Sequence, residues 1–155
     1  LLLAGGAGRL IGFDPADGKA RWNVPSAGLD AGWRRLPGGG HGPVTADGVL
    51  LHWANDKTLQ AIDLSDGKSL WLAAFDTTAL IPPVIAGGTV YATAGRVCRA
   101  LSLHGGKLIE EWPLDGGITD LAADSSGWYA RIDEDSVRAV NAATGPDSAG
   151  AARAR

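Results

Sequence analysis

The chain has 155 residues, of which 45% are hydrophobic, and these values fit one folded domain with a buried core. The formal net charge is −3 at pH 7 and the longest basic run is the pair Arg34 and Arg35, so a nucleic-acid partner is disfavoured. No stretch approaches the roughly 18 apolar residues of a membrane span. The single cysteine, Cys98, excludes an intrachain disulfide. The lack of methionine predicts a processed product or a piece of a longer polypeptide.

Short segments of alternating residues follow one another along the chain. Alternation of apolar and polar positions with period two indicates strands, and the Gly, Pro, Asp and Asn residues between them indicate tight turns. In chain order the predicted strands cover residues 1–4, 10–13, 19–24, 42–46, 49–53, 59–62, 68–75, 80–86, 89–93, 98–101, 107–114, 118–123, 128–131 and 137–140.

Four segments of similar sequence, 12–18, 61–67, 100–106 and 139–145, recur along the chain. Each ends in a glycine, and the separations between these glycines are 49, 39 and 39 residues. A polar residue lies four positions before each glycine. These polar residues are Asp14, Asp63, Ser102 and Asn141, and the glycines are Gly18, Gly67, Gly106 and Gly145. A period of this length is typical of a repeat protein.

Four short antiparallel strands in about forty residues are the unit of a β-propeller blade. The predicted fold is therefore all-β, a partial β-propeller of about four four-stranded blades that would form about half of a seven- or eight-bladed ring. With the strands of a blade labelled A to D from the inside outward, blade 1 lacks strand A and blade 4 lacks strand D. The blades are predicted at about 1–24, 42–75, 80–114 and 117–145, followed by a flexible tail at 146–155.

The segment 61–71, Ala-Ile-Asp-Leu-Ser-Asp-Gly-Lys-Ser-Leu-Trp, resembles the tryptophan-docking repeat of the pyrroloquinoline quinone (PQQ) β-propeller family. That repeat reads Ala-x-Asp-x-x-x-Gly-Lys-x-x-Trp. Residues 12–22 match it with glycine in place of alanine. In the third repeat Ser102 replaces the aspartate and Trp112 lies two positions later than expected, and the fourth repeat has no tryptophan.

The resemblance implies that the motif residues hold neighbouring blades together and take no part in chemistry. Each docking indole is expected to lie on the small-residue column of a neighbouring blade, to bury on the order of 200 Å², and to donate its N–H to a backbone carbonyl. The small-residue column is Gly12, Ala61, Ala100 and Ala139, and the expected structural residues are Trp22, Trp71, Trp112, Gly18, Gly67, Gly106, Asp14 and Asp63.

The residue types that usually carry chemistry do not form a recognisable site in the sequence. Cys98 stands at a position of the repeat that is apolar in the other three units, which favours a thiol buried in the core over a reactive one. His41, His52 and His104 fall in three different parts of the fold and have no zinc-ligand spacing. The acidic run 133–135 is interpreted as a solvated turn rather than a cation site.

The longest connection, residues 23–41, separates blades 1 and 2. Antiparallel strand order places the B–C turns and the D–A connections at the same end of every blade. The connection carries Trp33, Arg34 and Arg35 and is followed directly by the predicted strand A, with His41 at the junction. Exposed loops frequently carry binding residues, so these four residues are the candidate binding face for a protein or small ligand; the alternative is a merely longer connection.

The resemblance implies two classes of function. The first is a non-catalytic module that binds or senses a ligand or acts as an assembly scaffold, as in outer-membrane assembly lipoproteins and the sensor regions of some bacterial kinases. The alternative is a fragment of a PQQ-dependent dehydrogenase, a family that holds the quinone and calcium on the propeller axis with Glu, Asn, Asp and Arg.

No such axial set can be placed in this sequence, and adjacent cysteines are absent. The prediction is a non-catalytic scaffold without a cofactor, although the question of an enzyme stays open. The resemblance also implies an extracytoplasmic location, periplasmic or at the cell surface. We expect the apolar ends to pair with remaining blades or with another copy.

Overall fold

The computed structural model describes residues 1–6, 8–25, 43–79, 81–124, 127–132, 136–141 and 151–153. These residues form β-strands joined by turns. The strands are β1 (Leu2–Gly6), β2 (Arg9–Phe13), β3 (Ala20–Pro25), β4 (Val44–Ala46), β5 (Val49–Asn55), β6 (Thr58–Asp63), β7 (Ser69–Ala74), β8 (Val84–Ala86), β9 (Thr89–Ala94), β10 (Val97–Ser102), β11 (Leu108–Pro113), β12 (Ile118–Asp124), β13 (Gly127–Ile132), β14 (Ser136–Asn141) and β15 (Ala151–Arg153).

The strands form four sheets in which each strand pairs antiparallel with the next one along the chain. Sheet 1 contains β1 to β3, sheet 2 contains β4 to β7, sheet 3 contains β8 to β11, and sheet 4 contains β12 to β15. This arrangement confirms the all-β architecture of antiparallel blades.

The first strand of a four-stranded sheet lies on the inside of the assembly. Strand β4 contacts β8, and β8 contacts β12. Strands β7 and β11 are therefore the outer edges of sheets 2 and 3. In sheet 1, Leu2 pairs with Phe13 as Leu50 pairs with Ile62 in sheet 2, so β1 has the register of a second strand.

Near its outer strand each of the first three sheets contains a register shift of the β-bulge type. The shift follows Gly12 in sheet 1, Ala61 in sheet 2 and Ala100 in sheet 3, which is the same position of the repeat. The bulge places Trp22 opposite Gly12 and Trp71 opposite Ala61. A bulge re-aims the side chains of its strand, so the repeated position gives the tryptophans equivalent directions.

The end of the chain differs from the sequence-based expectation. Residues Ala151–Arg153 form a strand that pairs with β14, with Ser136 opposite Arg153. The sequence predicts a flexible tail at 146–155 and no outer strand in blade 4. The segment is Ala-Ala-Arg, which has neither alternation nor β-branched residues, so nothing in it signals a strand.

The turns that join β2 to β3, β6 to β7 and β10 to β11 have the same backbone hydrogen bonds. In sheet 2 the Asp63 N–H donates to the Lys68 carbonyl at 2.9 Å, and the Gly67 N–H donates to the Asp63 carbonyl at 2.9 Å. Gly67 has a φ of 74°, a left-handed conformation that glycine adopts without strain. The equivalent bonds form at Asp14, Gly18 and Lys19 in sheet 1 and at Ser102, Gly106 and Lys107 in sheet 3.

Within the described residues, no helix of the length and hydrophobicity needed to cross a membrane is present.

Candidate functional site

The buried hydrophobic residues form three clusters, one between each pair of consecutive sheets. We call these clusters seams 1–2, 2–3 and 3–4. Seam 1–2 contains Leu10, Trp22, Leu50 and Ile62; seam 2–3 contains, among others, Leu51, Leu59, Trp71, Val90 and Leu101; seam 3–4 contains, among others, Tyr91, Cys98, Trp112, Leu121 and Trp128. Burial of apolar surface between sheets is therefore the main attraction that joins the blades.

Trp22 joins sheet 1 to sheet 2. Its indole N–H donates to the Leu64 carbonyl at 2.8 Å. Its ring lies directly on the next glycine turn, because a Cβ built at Gly67 would be 2.7 Å from Trp22 Cγ. Only a residue without a side chain fits this contact.

Trp71 joins sheet 2 to sheet 3 in the same manner. Its N–H donates to the Leu103 carbonyl at 2.7 Å, and a Cβ at Gly106 would be 2.6 Å from its Cγ. The equivalence of the two contacts shows that docking of an indole onto the next turn is a repeated unit of this fold.

The surface beneath each docked ring is not the one that the sequence predicts. The small residue belongs to the same sheet as the tryptophan: Gly12 pairs with Trp22, and a Cβ at Gly12 would overlap the Trp22 ring at Cε2. The neighbouring blade contributes its turn glycine and a carbonyl instead. Cross-strand pairing after the bulge causes this difference, and the bulge is not evident from the repeat alignment.

Trp112 packs differently because its repeat is longer. It pairs with Cys98 across the sheet, and its ring lies 5.3 Å from that of Trp128 in the next sheet. Neither indole N–H has an acceptor among the described residues. In the repeat register, the residue equivalent to Leu64 and Leu103 is Ala142, which lies outside the described residues.

The aspartates of the repeat stabilise their own turns. Asp14 Oδ1 accepts from the Ala16 N–H at 2.9 Å, and Asp63 Oδ1 accepts from the Ser65 N–H at 2.8 Å. Arg21 also donates to the Asp14 carboxylate, and this bond holds the pKa of Asp14 below its ordinary value. The carboxylates of Asp14 and Asp63 therefore serve to hold their own turns by hydrogen bonds.

Arg99 makes a contact between blades that sequence reasoning did not single out. Its guanidinium lies 4.6 Å from the centre of the Phe75 ring and donates to the Ala74 carbonyl at 2.7 Å. It also forms an ion pair with Glu111 at 2.5 Å. Arg99 therefore links the outer strand of sheet 2 to that of sheet 3. This position of the repeat is polar in three of the four units, and that is the only feature of the sequence that could have indicated the contact.

His52 and Cys98 are buried titratable groups, and Cys98 belongs to seam 3–4. His52 is 2% exposed and its Nε2 lies 3.0 Å from Gln60 Oε1, while burial lowers its pKa. The Cys98 thiol is fully buried, and burial raises its pKa. A protonated buried thiol is not a nucleophile, in agreement with the core position predicted for Cys98.

The inner strands line an open groove of about 460 Å³. Most lining residues are small and apolar, and Thr45 is the polar side chain among them. The lining residues are Val44, Thr45, Ala46, Pro83, Val84, Ile85, Leu121, Ala122 and Ala123. Among the described residues, no group of three His, Cys, Asp or Glu side chains could hold a metal ion.

The candidate binding residues Trp33, Arg34, Arg35 and His41, and the acidic run 133–135, lie outside the described residues. The structure does describe turns at the end of the blades to which the strand order assigns this connection. There the Ala79 N–H donates to the Asp56 carbonyl at 2.7 Å, and Gly95 lies against Thr77. The B–C turns of sheets 2 and 3 and the connection between these sheets therefore share one end.

These features define the class of protein: a partial β-propeller whose blades are joined by docked tryptophans. The family model described as outer membrane protein assembly factor BamB matches residues 6–147. The chain therefore belongs to this family, which confirms the resemblance to PQQ-like repeats. Membership also confirms the extracytoplasmic location.

Individual relatives agree with the family match. The chain is 29% identical over 152 residues to the outer membrane protein assembly factor BamB of Moranella endobia (strain PCIT), covering 89% of this chain and 37% of that protein. The crystal structure of BamB from Moraxella catarrhalis superposes with a TM-score of 0.67 at 17% identity, covering 90% of this chain and 45% of that one.

A europium-containing methanol dehydrogenase is more distant. It superposes with a TM-score of 0.53 at 16% identity, over 72% of this chain and 22% of that one. Both structural comparisons show the propeller fold. The chain spans less than half the length of the BamB proteins that it matches.

Proposed function

We propose that this chain is part of a non-catalytic propeller that acts as a binding scaffold in the assembly of outer membrane proteins. The match of the assembly-factor family to residues 6–147 carries the proposal. Its partner would be another protein, bound on a loop face of the blades.

The aromatic and acidic residues of the repeat have structural roles, and this supports a scaffold rather than an enzyme. Trp22 and Trp71 are committed to docking, and the repeat aspartates to turns. The groove at the inner strands offers mainly methyl and methylene groups. A PQQ–calcium site needs several oxygen ligands for the metal, so this lining does not favour the dehydrogenase alternative.

The candidate surface for a partner is the end of the blades that carries residues 23–41 together with the turns at Asp56 and Gly95. Loops on a rigid sheet scaffold are common sites of recognition. Trp33, Arg34 and Arg35 supply the residue types that are enriched at binding hot spots.

A deletion experiment tests the role. In a strain that lacks the gene containing this chain, we expect less folded β-barrel protein in the outer membrane fraction, and recovery when the full gene is supplied. The gene with Trp33, Arg34 and Arg35 all replaced by alanine should fail to restore the barrels although the protein accumulates.

The matched control replaces the exposed residues Lys19, Lys68 and Lys107 at the opposite end of the blades by alanine, and it should restore the barrels. Unchanged barrel levels in the deletion strain, or saturable binding of PQQ by the protein in the presence of calcium, would contradict the proposal.

A further inference from the structure

His52 departs from the residue type that its position has in the rest of the repeat. The strand registers place Ala4, Ala92 and Ala130 at the equivalent position of the other three sheets. Ala92 and Ala130 are fully buried. Sheet 2 therefore carries an imidazole at a buried position where the other sheets carry a methyl group.

The side chain of His52 belongs to the face of sheet 2 that packs on sheet 1. His52 follows Leu50 by two residues on β5, and it pairs with Gln60 as Leu50 pairs with Ile62. Side chains two residues apart in a strand share a face, and Leu50 and Ile62 belong to seam 1–2. The imidazole is 2% exposed, its Nε2 lies 3.0 Å from Gln60 Oε1, and the ring also hydrogen-bonds to the backbone of Trp53.

The described side chains of sheet 1 offer no counter-ion at this position. The charged residues of β1, β2 and β3 are Arg9 and Arg21, both cationic, which bond to Asn23 and Asp14. Arg9 precedes Leu10 on β2 and therefore lies on the opposite face from seam 1–2. The side chains that sheet 1 contributes to the seam are apolar: Leu3, Leu10, Trp22 and Val24.

Sheet 2 offers no counter-ion either. Strands β4, β5 and β7 contain no acidic or basic residue apart from His52 itself, and β6 contains only Asp63, which accepts hydrogen bonds from Ser65. Asp56 and Lys57 lie in the turn beyond the end of β5, and the pKa of His52 is lowered by burial. Protonation therefore places a charge in seam 1–2 without an ionic partner among the described residues, which is costly in an apolar environment.

Seam 1–2 is the seam least able to absorb this cost. Within the part of the chain that the structure describes, it contains four buried hydrophobic side chains, against twelve in seam 2–3 and eleven in seam 3–4. Because the attraction between sheets grows with the apolar surface that they bury, sheet 1 is held more weakly than sheets 3 and 4. A single buried charge therefore has its largest effect in this seam.

We propose that His52 makes seam 1–2 a pH-sensitive joint: when the imidazole takes up a proton, sheet 1 separates from sheet 2 while seams 2–3 and 3–4 stay closed. Separation lets water solvate the cation, so the open seam binds the proton more tightly than the closed one. The closed seam is favoured above about pH 6.5, and this preference is lost as the pH falls toward the pKa of the closed form. The joint is independent of the proposed function.

The joint would also act on the candidate binding face. The chain between Pro25, at the end of β3, and Val44, at the start of β4, connects sheet 1 to sheet 2 and carries Trp33, Arg34 and Arg35. Separation of the two sheets changes the distance between the ends of this connection. Binding of a partner there would then depend on pH, a consequence that, unlike the joint itself, rests on the proposed function.

Nuclear Overhauser cross-peaks across two seams of the whole chain test the joint. The indole of Trp22 lies on Gly67 in seam 1–2, and the indole of Trp71 lies on Gly106 in seam 2–3. Between about pH 7 and pH 5 we expect the Trp22–Gly67 cross-peaks to weaken by about tenfold or more, since each unit of difference in pKa changes the equilibrium about tenfold. The midpoint should equal that of the His52 ring resonances, and the Trp71–Gly106 cross-peaks should keep their intensity.

Replacement of the histidine supplies the matched comparison. His52→Gln keeps a polar side chain that does not titrate, and His52→Ala installs the residue of the other sheets, so either variant should retain the Trp22–Gly67 cross-peaks at about pH 5. His104→Gln removes an exposed imidazole and should lose these cross-peaks as the unmodified chain does.

Three results would overturn the joint. The first is persistence of the Trp22–Gly67 cross-peaks at about pH 5 in the unmodified chain. The second is their loss together with the Trp71–Gly106 cross-peaks, which would mean that acid unfolds the chain as a whole. The third is an equal loss in the His52 variants, which would assign the transition to another group.

Discussion

Trp71 shows how one side chain can hold two sheets. It is 9% exposed, packs in seam 2–3, and donates to the Leu103 carbonyl of the next sheet. Truncation removes the ring and leaves that carbonyl and the surface of Gly106 without their partner. The same residue therefore contributes both apolar burial and a directional hydrogen bond.

Trp71→Ala should lower the free energy of unfolding by about 3–5 kcal/mol, the usual cost of deleting a buried aromatic side chain. Leu72→Ala, at a neighbouring position that is 63% exposed, should change it by no more than about 0.5 kcal/mol. Urea denaturation followed by circular dichroism measures both values. Similar losses in the two variants would contradict the docking role of Trp71.

His52 should make stability dependent on pH. Its pKa in the folded chain is below the ordinary value of 6.5 because of burial, so the unfolded chain binds the proton more tightly. Its stabilising contribution is therefore present above about pH 6.5 and is lost as the pH falls toward the folded pKa.

The replacement His52→Gln should flatten the fall in the free energy of unfolding between about pH 7 and pH 5. His104→Gln, at an exposed turn, is the control and should keep the slope of the unmodified chain. An unchanged slope in His52→Gln would show that another group is responsible.

At the scale of the element, the outer strands differ in how their free edges are protected. Charged residues and proline discourage pairing with other chains. Strand β3 carries Arg21 and Pro25, and β11 carries glutamates and Pro113. Strand β7, Ser-Leu-Trp-Leu-Ala-Ala, has neither, and it exposes Leu70 and Leu72 at 42% and 63%. Edge pairing between molecules is therefore expected at β7.

Leu72→Lys should slow aggregation on mild heating without lowering the denaturation midpoint, because it adds a charge to an exposed edge position. Ala20→Lys adds the same charge to β3, which is already protected, and should have little effect. Turbidity measured over time compares the variants. An equal benefit from both would point to net charge instead of the β7 edge.

The strands and their repeat were predictable from the sequence because period-two alternation and the Asp-to-Gly turn spacing recur in each unit. The docking tryptophans followed from the same register. The surface beneath each indole did not, because a one-residue bulge decides which residue lies opposite Trp22. Burial of His52 could have been inferred, since it lies two residues after Leu50 on the same face of β5. The three-residue strand Ala151–Arg153 has no local pattern and depends on pairing with β14.

At the scale of the molecule, both terminal sheets have a face without a neighbour among the described residues. Tyr129 and Val137 in sheet 4 are 37% and 43% exposed. Their counterparts in sheet 2, Leu51 and Leu59, are fully buried by the next sheet. In a closed propeller such faces are covered by neighbouring blades.

The isolated chain should therefore associate through its terminal sheets. Light scattering should give a mass that exceeds 15.9 kDa and rises with concentration. Tyr129→Lys together with Val137→Lys should lower this mass, because the pair places charge on the free face of sheet 4. A constant mass of 15.9 kDa with cooperative unfolding would contradict the expectation of a free propeller face.

Each docked indole connects one sheet to the next and to no other, and this gives the chain the energetics of a one-dimensional array. Stability should then be a sum over sheets and nearest-neighbour couplings, with partial unfolding starting where a coupling is missing. Among the residues that the structure describes, sheets 2 and 3 each have a sheet on both sides, whereas sheets 1 and 4 have one on a single side. Amide exchange should accordingly be slowest in β5, β6, β9 and β10 and fastest in β1 and β15. A uniform exchange rate over all sheets would mean that the array unfolds as one unit.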